Sequence, residues 1–294
     1  MLISQKDDPP KRVLLATDLS ARCDRATDRA VVLAKLWNAE LIVLHVMELG
    51  PASAGPPYSP SWRLKYDPQE RAVRRVRSEI GEILPDVSVI VEQGDPAERL
   101  LQVAEARSVD LIVTGVARDE PFGRAVVGST VKTLLGQVSC PLLIVRRRGL
   151  RPYRHIVTAT DFSLASREAL ERAVRLFPHA SHAVFHAYSA GYAALASDVE
   201  EGRRQQGNVA AQECREFLAA SDLLGLGSRL PQAILEYGPP GQLLNDYAHE
   251  NDVDLAVMGT CGHGALYDMF IGSVAKKLAM SVPCDALIIR PRQT

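Results

Sequence analysis

The chain lacks the features that mark several broad classes of protein. Its 34 basic and 35 acidic residues nearly cancel, to a formal net charge of -1, so charge gives no support to a general nucleic-acid or membrane-surface role. No apolar run approaches the roughly 18 residues that a membrane-spanning helix needs. The first ten residues are too polar for a signal peptide. We therefore expect a cytoplasmic protein that binds neither nucleic acid nor membrane.

Common metal and catalytic motifs are also missing. The five cysteines are scattered without a Cys-x-x-Cys pair, so neither a disulfide framework nor a zinc ribbon is indicated. There is no P-loop, no G-x-G-x-x-G after the first apolar run, no G-x-S-x-G elbow and no H-E-x-x-H. His179, His182 and His186 lie close in sequence, but no carboxylate or thiol stands beside them at ligand spacing. We expect ordinary core or surface histidines and no metal site.

What the chain does contain is an internal repeat. Three segments recur at an offset of 143 or 144 residues: 12–20 as 155–163, 93–115 as 237–259, and 139–147 as 283–291. A nearly constant offset across a whole half indicates the duplication of a complete domain, and the period is far too long for a solenoid. We predict two domains, residues 1–148 and 152–294, joined by a charged linker that contains Gly149 and Pro152.

Each half alternates short apolar runs with helical segments. Near-continuous Val, Ile and Leu runs separated by helices indicate strands buried on both faces, hence an α/β fold with a parallel, doubly wound sheet. Thr17–Ser20 supplies N-cap candidates for a helix that runs to about Trp37, and Asp95 before Pro96 predicts the start of another helix. Residues 50–62 contain four prolines and are predicted to be a surface loop. The predicted strands of the first half are 12–17, 40–49, 87–93, 109–115 and 141–146.

A glycine-rich stretch in the second half invites a functional interpretation. Residues 257–277, VMGTCGHGALYDMFIGSVAKK, place four glycines between a predicted strand and a predicted helix. In open parallel sheets, ligands bind beyond the carboxyl ends of the strands. The first amides of a helix have no internal partner and favour an anion. A merely flexible loop can have a similar composition, but Gly-Ser at the helix start favours a phosphate cradle.

These residues resemble a known family. The spacing Gly259-x2-Gly262-x9-Gly272-Ser273 is similar to the G-x2-G-x9-G-[ST] signature of the universal stress protein (UspA-like) family. The resemblance covers nearly the whole chain as two tandem copies. It implies a flavodoxin/Rossmann-like fold with five parallel strands per copy, binding of ATP or AMP, and pairing of copies through their last strands. Further matches are T-D-F-S at 160–163, Leu44-His45-Val46, Phe185-His186-Ala187 and the C-P-x-L-I-V-R-type last strand.

The resemblance also implies the residues of a site in the second half. Asp161 would hold the adenosine near its ribose, and the chemistry agrees, because a carboxylate accepts hydrogen bonds from sugar hydroxyls. The alternative is that Asp161 is a plain helix N-cap. We expect Mg²⁺ to accompany a bound triphosphate. The other implied contacts are Ala159 and Ala187 beside the base, Met258 and Gly259 beside the sugar, and Gly262, Gly272, Ser273 and Val274 along the phosphates.

The first half departs from the signature at one position. Its loop keeps the spacing from Gly115 to Gly128, but Arg118 stands where the second glycine would be. Glycine adopts positive φ without strain, whereas arginine does not and brings a long side chain. The positive charge of Arg118 could still attract an anion. We predict one good nucleotide site per chain, in the second half.

The sequence leaves three functions open. The first is a nucleotide-dependent regulatory or stress-response module that acts through a protein partner of unknown identity. The second is a slow ATP-hydrolysing enzyme of the related nucleotide-alpha-hydrolase fold, for which only Asp268 offers a carboxylate within the loop. The third is a scaffold that binds no nucleotide. We expect the first function, with no enzymatic activity beyond slow hydrolysis.

The last apolar runs of the two halves predict how the halves associate. Residues 141–146 and 286–290 would each end their own sheet as an apolar edge, which invites unwanted association unless it is paired. We therefore predict that the two halves pair within one chain through these strands. Further association into a homodimer would build on that intrachain pair.

Overall fold

A computed structural model of the chain describes residues 9–21, 23–47, 68–80, 84, 87–116, 118–119, 125–126, 128–189, 199–227, 229–260 and 272–290. The predicted loop at 50–62 and the predicted site residue Gly262 lie outside these described residues. Within the described part of the chain, no helix is both long enough and apolar enough to cross a membrane.

The chain alternates strands and helices along both halves, as predicted. The strands are β1 (Arg12–Thr17), β2 (Glu40–Met47), β3 (Val87–Gln93), β4 (Leu111–Gly115), β5 (Arg118–Asp119), β6 (Ala125–Val126), β7 (Leu142–Val145), β8 (His155–Ala159), β9 (Ser181–Tyr188), β10 (Gln232–Tyr237), β11 (Leu255–Gly259) and β12 (Asp285–Ile289). The helices are α1 (Asp24–Trp37), α2 (Pro68–Ile80), α3 (Pro96–Ala106), α4 (Ser129–Gln137), α5 (Leu164–Leu176), α6 (Val199–Ala219), α7 (Pro240–Glu250) and α8 (Ser273–Ser281), with a short 3-10 helix at Leu224–Leu226.

Ten strands form one sheet, in the order β10-β9-β8-β11-β12-β7-β4-β1-β2-β3. Within each half the five strands are parallel, which confirms the predicted fold of two tandem doubly wound domains. In both halves the strand order reverses beside the first strand, and such a reversal is where parallel sheets place their ligands.

The two halves meet at β7 and β12, the last strand of each. These strands pair antiparallel, with Leu143 opposite Leu287, as the apolar edges predicted. Two arginines cross the junction reciprocally. Arg146 donates from Nη2 to the carbonyl of Ala279 in α8 at 2.6 Å, and Arg290 donates from Nη2 to the carbonyl of Leu135 in α4 at 2.9 Å. Each half therefore binds a carbonyl in the other half's last helix.

Both faces of the sheet are buried, because side chains alternate across each strand. In β1, Leu14 points into one apolar cluster, while Val13 and Leu15 point into the cluster on the opposite face. The first cluster runs across the junction, since it contains Ile144 of β7 and Ile288 of β12. The junction is thus part of a continuous core.

The linker between the halves is held firmly against α1. Arg25 donates to the carbonyl of Arg146 at 2.9 Å, and Arg29 donates to the carbonyl of Arg151 at 2.8 Å. A side chain at Gly149 would collide with the guanidinium of Arg29, which is only 5% exposed. The glycine that marks the linker in the sequence therefore also makes room for a buried arginine.

The helix starts agree with the predictions in one case and correct them in another. Asp95 caps α3 by accepting from the amide of Glu98 at 2.9 Å, and Pro96 occupies the first turn, as predicted. The prediction that Thr17–Ser20 caps α1 is wrong. The N-cap of α1 is Cys23, which makes no capping hydrogen bond from its side chain. The polar groups of Thr17–Ser20 form hydrogen bonds within a tight turn after β1 instead.

Candidate functional site

A cavity of about 600 Å³ lies at the carboxyl ends of the second-half strands. It opens between the ends of β8, β9 and β11 and the starts of α5, α7 and α8. Eight of the nine predicted site residues line it: Ala159, Asp161, Ala187, Met258, Gly259, Gly272, Ser273 and Val274. The ninth, Gly262, lies outside the described residues.

The same cavity has lining residues that the sequence reasoning missed. Several of them are immediate chain neighbours of predicted residues, so the sequence motifs could have identified them. Pro240 comes from the start of α7, and its place at the cavity depends on how that helix packs. The missed residues are Thr160, Ser166, Phe185, His186, Pro240, Thr260, Ala275 and Leu278.

Asp161 is held in a tight turn after β8. Its Oδ1 accepts from the amide of Ser163 at 3.1 Å, while Thr160 Oγ1 accepts from the amide of Phe162 at 2.8 Å. Phe162 takes a φ of 61°, which is rare for a residue with a side chain. The N-cap of α5 is Ser163, whose hydroxyl accepts from the amide of Ser166. The alternative of a plain helix N-cap at Asp161 is therefore wrong, and the turn positions its carboxylate at the cavity.

His186 supports this turn from the neighbouring strand. Its Nδ1 lies 2.9 Å from the carbonyl of Thr160, and its ring stacks on Phe162 with centroids 4.3 Å apart. Because an imidazole nitrogen at that distance from a carbonyl acts as the donor, the turn and β9 are tied together beside the cavity.

The first half repeats the same turn with a different side chain against the carboxylate. Asp18 Oδ1 accepts from the amide of Ser20 at 2.8 Å, and Leu19 takes a φ of 58°. Here Cys23 Sγ also lies 3.1 Å from Asp18 Oδ1. Burial raises the pKa of the Cys23 thiol to about 11, so the thiol keeps its proton and donates it to the carboxylate. The equivalent residue of the second half is Ser166, which bonds to Thr160 Oγ1 at 2.7 Å instead.

Helix α8 points its amino end at the cavity. The amide of Gly272 donates to the carbonyl of Thr260 at 2.7 Å, and the first intrahelical bond runs from Lys276 to Gly272. The N-cap residue is Gly272, which has no side chain to cap this end of the helix. The amides of Ser273, Val274 and Ala275 come before the first helical bond and line the same cavity, so they supply donors with a favourable helix dipole.

The two described glycines of the motif are glycines for different reasons. A Cβ added at Gly259 would lie 2.6 Å from the carbonyl oxygen of Ala165, so Gly259 is required where α5 packs against the end of β11. A Cβ added at Gly272 would find its nearest neighbour, the oxygen of Thr260, at 3.9 Å. Packing within the described part of the chain therefore does not require glycine at position 272.

The charges around the cavity are few. Asp161 is the one carboxylate among the cavity residues that the structure describes. Among the described residues there is no group of three or more side chains that could hold a metal ion. His182 and His186 both lie on strand β9, but they hydrogen-bond to different carbonyls, those of Phe177 and Thr160 respectively.

The equivalent loop of the first half is described in part. Arg118–Asp119 pairs antiparallel with Ala125–Val126 as a small hairpin, β5 and β6, which was not predicted. Beyond it, α4 begins after Gly128 as α8 begins after Gly272, again with no capping hydrogen bond from the N-cap side chain. The helix start is thus common to both halves, and the described part of the first-half loop forms a strand pair without any change in loop length.

Comparison with other proteins places this geometry in a family. A sequence profile described as the universal stress protein family matches the chain twice, over residues 9–146 and residues 152–290. A universal stress protein of Thermus aquaticus is 31% identical over 137 residues, which cover 46% of this chain and 98% of that protein. A universal stress protein of Mycolicibacterium smegmatis is 24% identical over 299 residues, which cover 95% of this chain and 97% of the relative.

Solved structures share the fold of the whole chain. A universal stress protein of Archaeoglobus fulgidus matches with a TM-score of 0.61 at 18% identity, covering 95% of this chain and 98% of that one. A functionally unknown protein of Pseudomonas aeruginosa matches with a TM-score of 0.69 at 19% identity, covering 98% and 95% respectively. At such low identity these likenesses show the fold alone. The repeated profile match goes further: the chain belongs to the universal stress protein family and carries two copies of the family's domain in tandem.

Proposed function

We propose that the second half binds ATP or AMP and that the chain acts as a nucleotide-dependent regulatory module in a stress response. One observation carries the proposal above the others. The start of α8, whose N-cap is a glycine, and the carboxylate of Asp161 line the same cavity, which joins donors for phosphate to an acceptor for sugar hydroxyls. A nucleotide carries both groups in one molecule.

The glycine at position 272 supports the same ligand. Because a Cβ there would meet only the oxygen of Thr260, at 3.9 Å, the rest of the described chain leaves room for a side chain. Yet Gly272 lines the cavity at the start of α8. Glycine at such a position lets a phosphate approach the helix amides closely. Mg²⁺ would enter with a triphosphate, whose oxygens are the ligands that this ion prefers.

The cavity also suits the rest of the nucleotide. At about 600 Å³ it lies within the 300–1,000 Å³ range of small-molecule sites. The apolar side chains of Ala159, Ala187 and Met258 line it beside the polar groups. We propose the base against the two alanines and the sugar beside Met258 and Asp161.

We propose a binding module rather than an enzyme. Hydrolysis of ATP would need a general base to activate water, or a carboxylate cluster to hold Mg²⁺ against the phosphates. Asp161 is the one carboxylate among the described lining residues, and its Oδ1 already accepts from the amide of Ser163. Asp268, the carboxylate of the loop, lies outside the described residues. Any hydrolysis should therefore be slow.

The proposal is tested on the intact, purified chain. Mass spectrometry of small molecules released on denaturation should detect an adenine nucleotide, and calorimetric titration with ATP and Mg²⁺ should give a stoichiometry near one per chain. AMP should compete for the same site. A chain that releases no nucleotide and gives no heat with ATP or AMP would instead be a scaffold. Continuous release of phosphate at enzymatic rates would favour the hydrolase.

A further inference from the structure

A second cavity lies at the opposite end of the second-half strands, where β8, β9 and β10 begin. Its volume is about 490 Å³, and its lining differs in character from that of the first cavity. Polar and charged side chains dominate, beside the apolar Leu226 and Leu230. The polar lining residues are Arg154, His155, Ser181, His182, Arg229 and Gln232.

The charge of this amino-end cavity is of one sign. Arg154 and Arg229 each bring a guanidinium, and none of the described residues that line the cavity is a carboxylate. Within the described part of the chain, Arg154 forms no ion pair. Arg229 donates from Nη2 to the carbonyl of Pro178 at 3.0 Å, which leaves its other donors available. Two arginines without a counter-ion favour an anion.

The first half provides an internal comparison at the same place in the fold. Glu40 begins β2 as Ser181 begins β9, and their amides donate to equivalent carbonyls, those of Lys11 and Arg154. In the first half, the carboxylate of Glu40 lies 3.9 Å from Arg12 Nε and accepts from Ser88 at 2.9 Å. The second half therefore has Ser181 and His155 where the first half has the ion pair of Glu40 and Arg12, so no carboxylate stands at this place in the second half.

The aspartate that is common to both halves does not restore the balance. Asp254 Oδ2 accepts from the amides of Arg154 and His155, at 2.8 and 3.0 Å. Asp110 accepts from the amides of Lys11 and Arg12 in the same way in the first half. Because this aspartate bonds to the backbone in both halves, it does not distinguish the two amino ends, and the carboxylate that the second half lacks is that of Glu40.

A buried and incompletely bonded histidine lines the same cavity. His182 is 7% exposed, and its Nε2 lies 3.0 Å from the carbonyl of Phe177. Its Nδ1 has no hydrogen-bond partner among the described residues. A buried nitrogen without a partner is unfavourable. In the first half the equivalent residue is Leu41, so the histidine belongs to the second half alone.

We propose that this amino-end cavity is a second ligand site, which takes a small molecule bearing a phosphate or pyrophosphate group. The forked guanidinium groups of Arg154 and Arg229 suit the oxygens of such an anion. Because serine is smaller than the glutamate of the first half, Ser181 leaves room for the anion. Leu226 and Leu230 offer apolar surface to the remainder of the ligand. This site is separate from the proposed nucleotide site, because it lies at the other end of the same parallel strands.

The test uses inorganic pyrophosphate, titrated calorimetrically into the intact chain at constant ionic strength. Ser181→Glu introduces the carboxylate that the first half has at Glu40, and Ser181→Gln is its neutral match in size. We expect Ser181→Glu to bind pyrophosphate at least about tenfold more weakly than Ser181→Gln, because a like charge in an anion site is strongly unfavourable. The double variant Arg154→Gln/Arg229→Gln should lose binding by a similar factor.

Two further measurements make the outcome decisive. Gly272→Glu, which alters the proposed nucleotide cavity, should leave the binding that depends on Ser181 in place, and the double arginine variant should still bind ATP. Thermal unfolding would confirm that each variant folds. The proposal is overturned if wild type does not bind pyrophosphate, or if Ser181→Glu and Ser181→Gln bind it equally. Binding that disappears only in Gly272→Glu would assign the pyrophosphate to the other cavity.

Discussion

The hydroxyl of Tyr153 donates a 2.7 Å hydrogen bond to Oδ2 of Asp285, joining the start of the second half to the first residue of the last strand. Asp285 is completely buried, and Arg29 Nε approaches the same oxygen at 3.3 Å. Burial, together with the charge of Asp285, raises the pKa of Tyr153 well above its ordinary value, so its hydroxyl remains a donor. The Arg29 guanidinium also lies 3.9 Å from the centroid of the Tyr153 ring.

Asp285→Asn should strongly destabilise the fold. It would remove the charge that balances Arg29, which is 5% exposed, and breaking a buried ion pair from one side costs about 3–5 kcal/mol. Urea unfolding of the intact chain would measure the loss. Asp28→Asn is the control. It removes an ion pair with Arg148, whose side chain is largely exposed, so the loss of that pair should change the free energy of unfolding little. Equal effects of the two substitutions would contradict this account.

The contrast between the two glycines predicts a difference in stability. Gly259→Ala would place a Cβ 2.6 Å from the oxygen of Ala165, and overpacking of this kind costs about 1–3 kcal/mol. Gly272→Ala meets nothing closer than 3.9 Å and should change the free energy of unfolding by less than about 1 kcal/mol. Denaturant titration of both variants checks the difference, and a larger loss for Gly272→Ala would show that the packing has been misjudged.

The proposed phosphate position predicts a selective loss of ATP binding. Gly272→Glu adds bulk and negative charge where α8 begins, so ATP affinity should fall by at least about tenfold, or 1.4 kcal/mol. Gly272→Ala adds less bulk and no charge, and should weaken binding less. Calorimetry would measure both affinities, and circular dichroism would show that the variants are folded. If Gly272→Glu binds ATP as tightly as wild type, the phosphates do not lie at this helix.

The proposed asymmetry of the two halves predicts a matched pair of outcomes. Asp161→Asn removes the charge that favours sugar hydroxyls in the second half, and should weaken ATP binding. Asp18→Asn makes the same change in the equivalent turn of the first half, where Cys23 already donates to the carboxylate, and should leave ATP binding unchanged. Stoichiometry near one per chain is expected throughout. Two equivalent sites, or a loss caused by Asp18→Asn alone, would refute the asymmetry.

Buried His182 predicts a dependence of stability on pH. Burial lowers the pKa of His182 from its ordinary 6.5, and Arg229 lowers it further. As the pH falls, the unfolded chain therefore takes up the proton before the folded chain does. The stability that neutral His182 gives the folded state is fully present above about pH 6.5 and is lost as the pH falls below that value. His182→Leu, which has the residue of the first half, should lose less stability than wild type between pH 8 and pH 5.5. Equal losses in phosphate-free buffer would show that His182 does not titrate this way.

Much of the fold could be predicted because the information is local. Runs such as 111–115 and 142–145 form buried strands, since an apolar run with strand-forming residues has few other ways to pack. The apolar character of β7 and β12 also predicted their pairing. The eight cavity residues were implied by the family resemblance, whose motifs lie at strand ends, where parallel topology brings separate segments together.

The remainder depends on contacts between residues far apart in the chain. Arg29 reads as an ordinary residue of a helix surface, and its burial follows only from Asp285 and the linker reaching it from the other half. Gly259 was interpreted as a ligand contact, yet its space is set by the backbone of Ala165. The amino-end cavity likewise brings together Arg154 and Arg229, which are 75 residues apart and belong to no common sequence motif.

The antiparallel pairing of β7 with β12 has a consequence for how other molecules can approach the chain. It turns the two halves head to tail, so the turns at Asp18 and Asp161 lie on opposite rims of the one sheet. A ligand at the turn of Asp161 therefore lies at the other end of the strands from a ligand at the turn of Asp18. The carboxyl ends of the two halves' strands therefore do not form one shared binding edge.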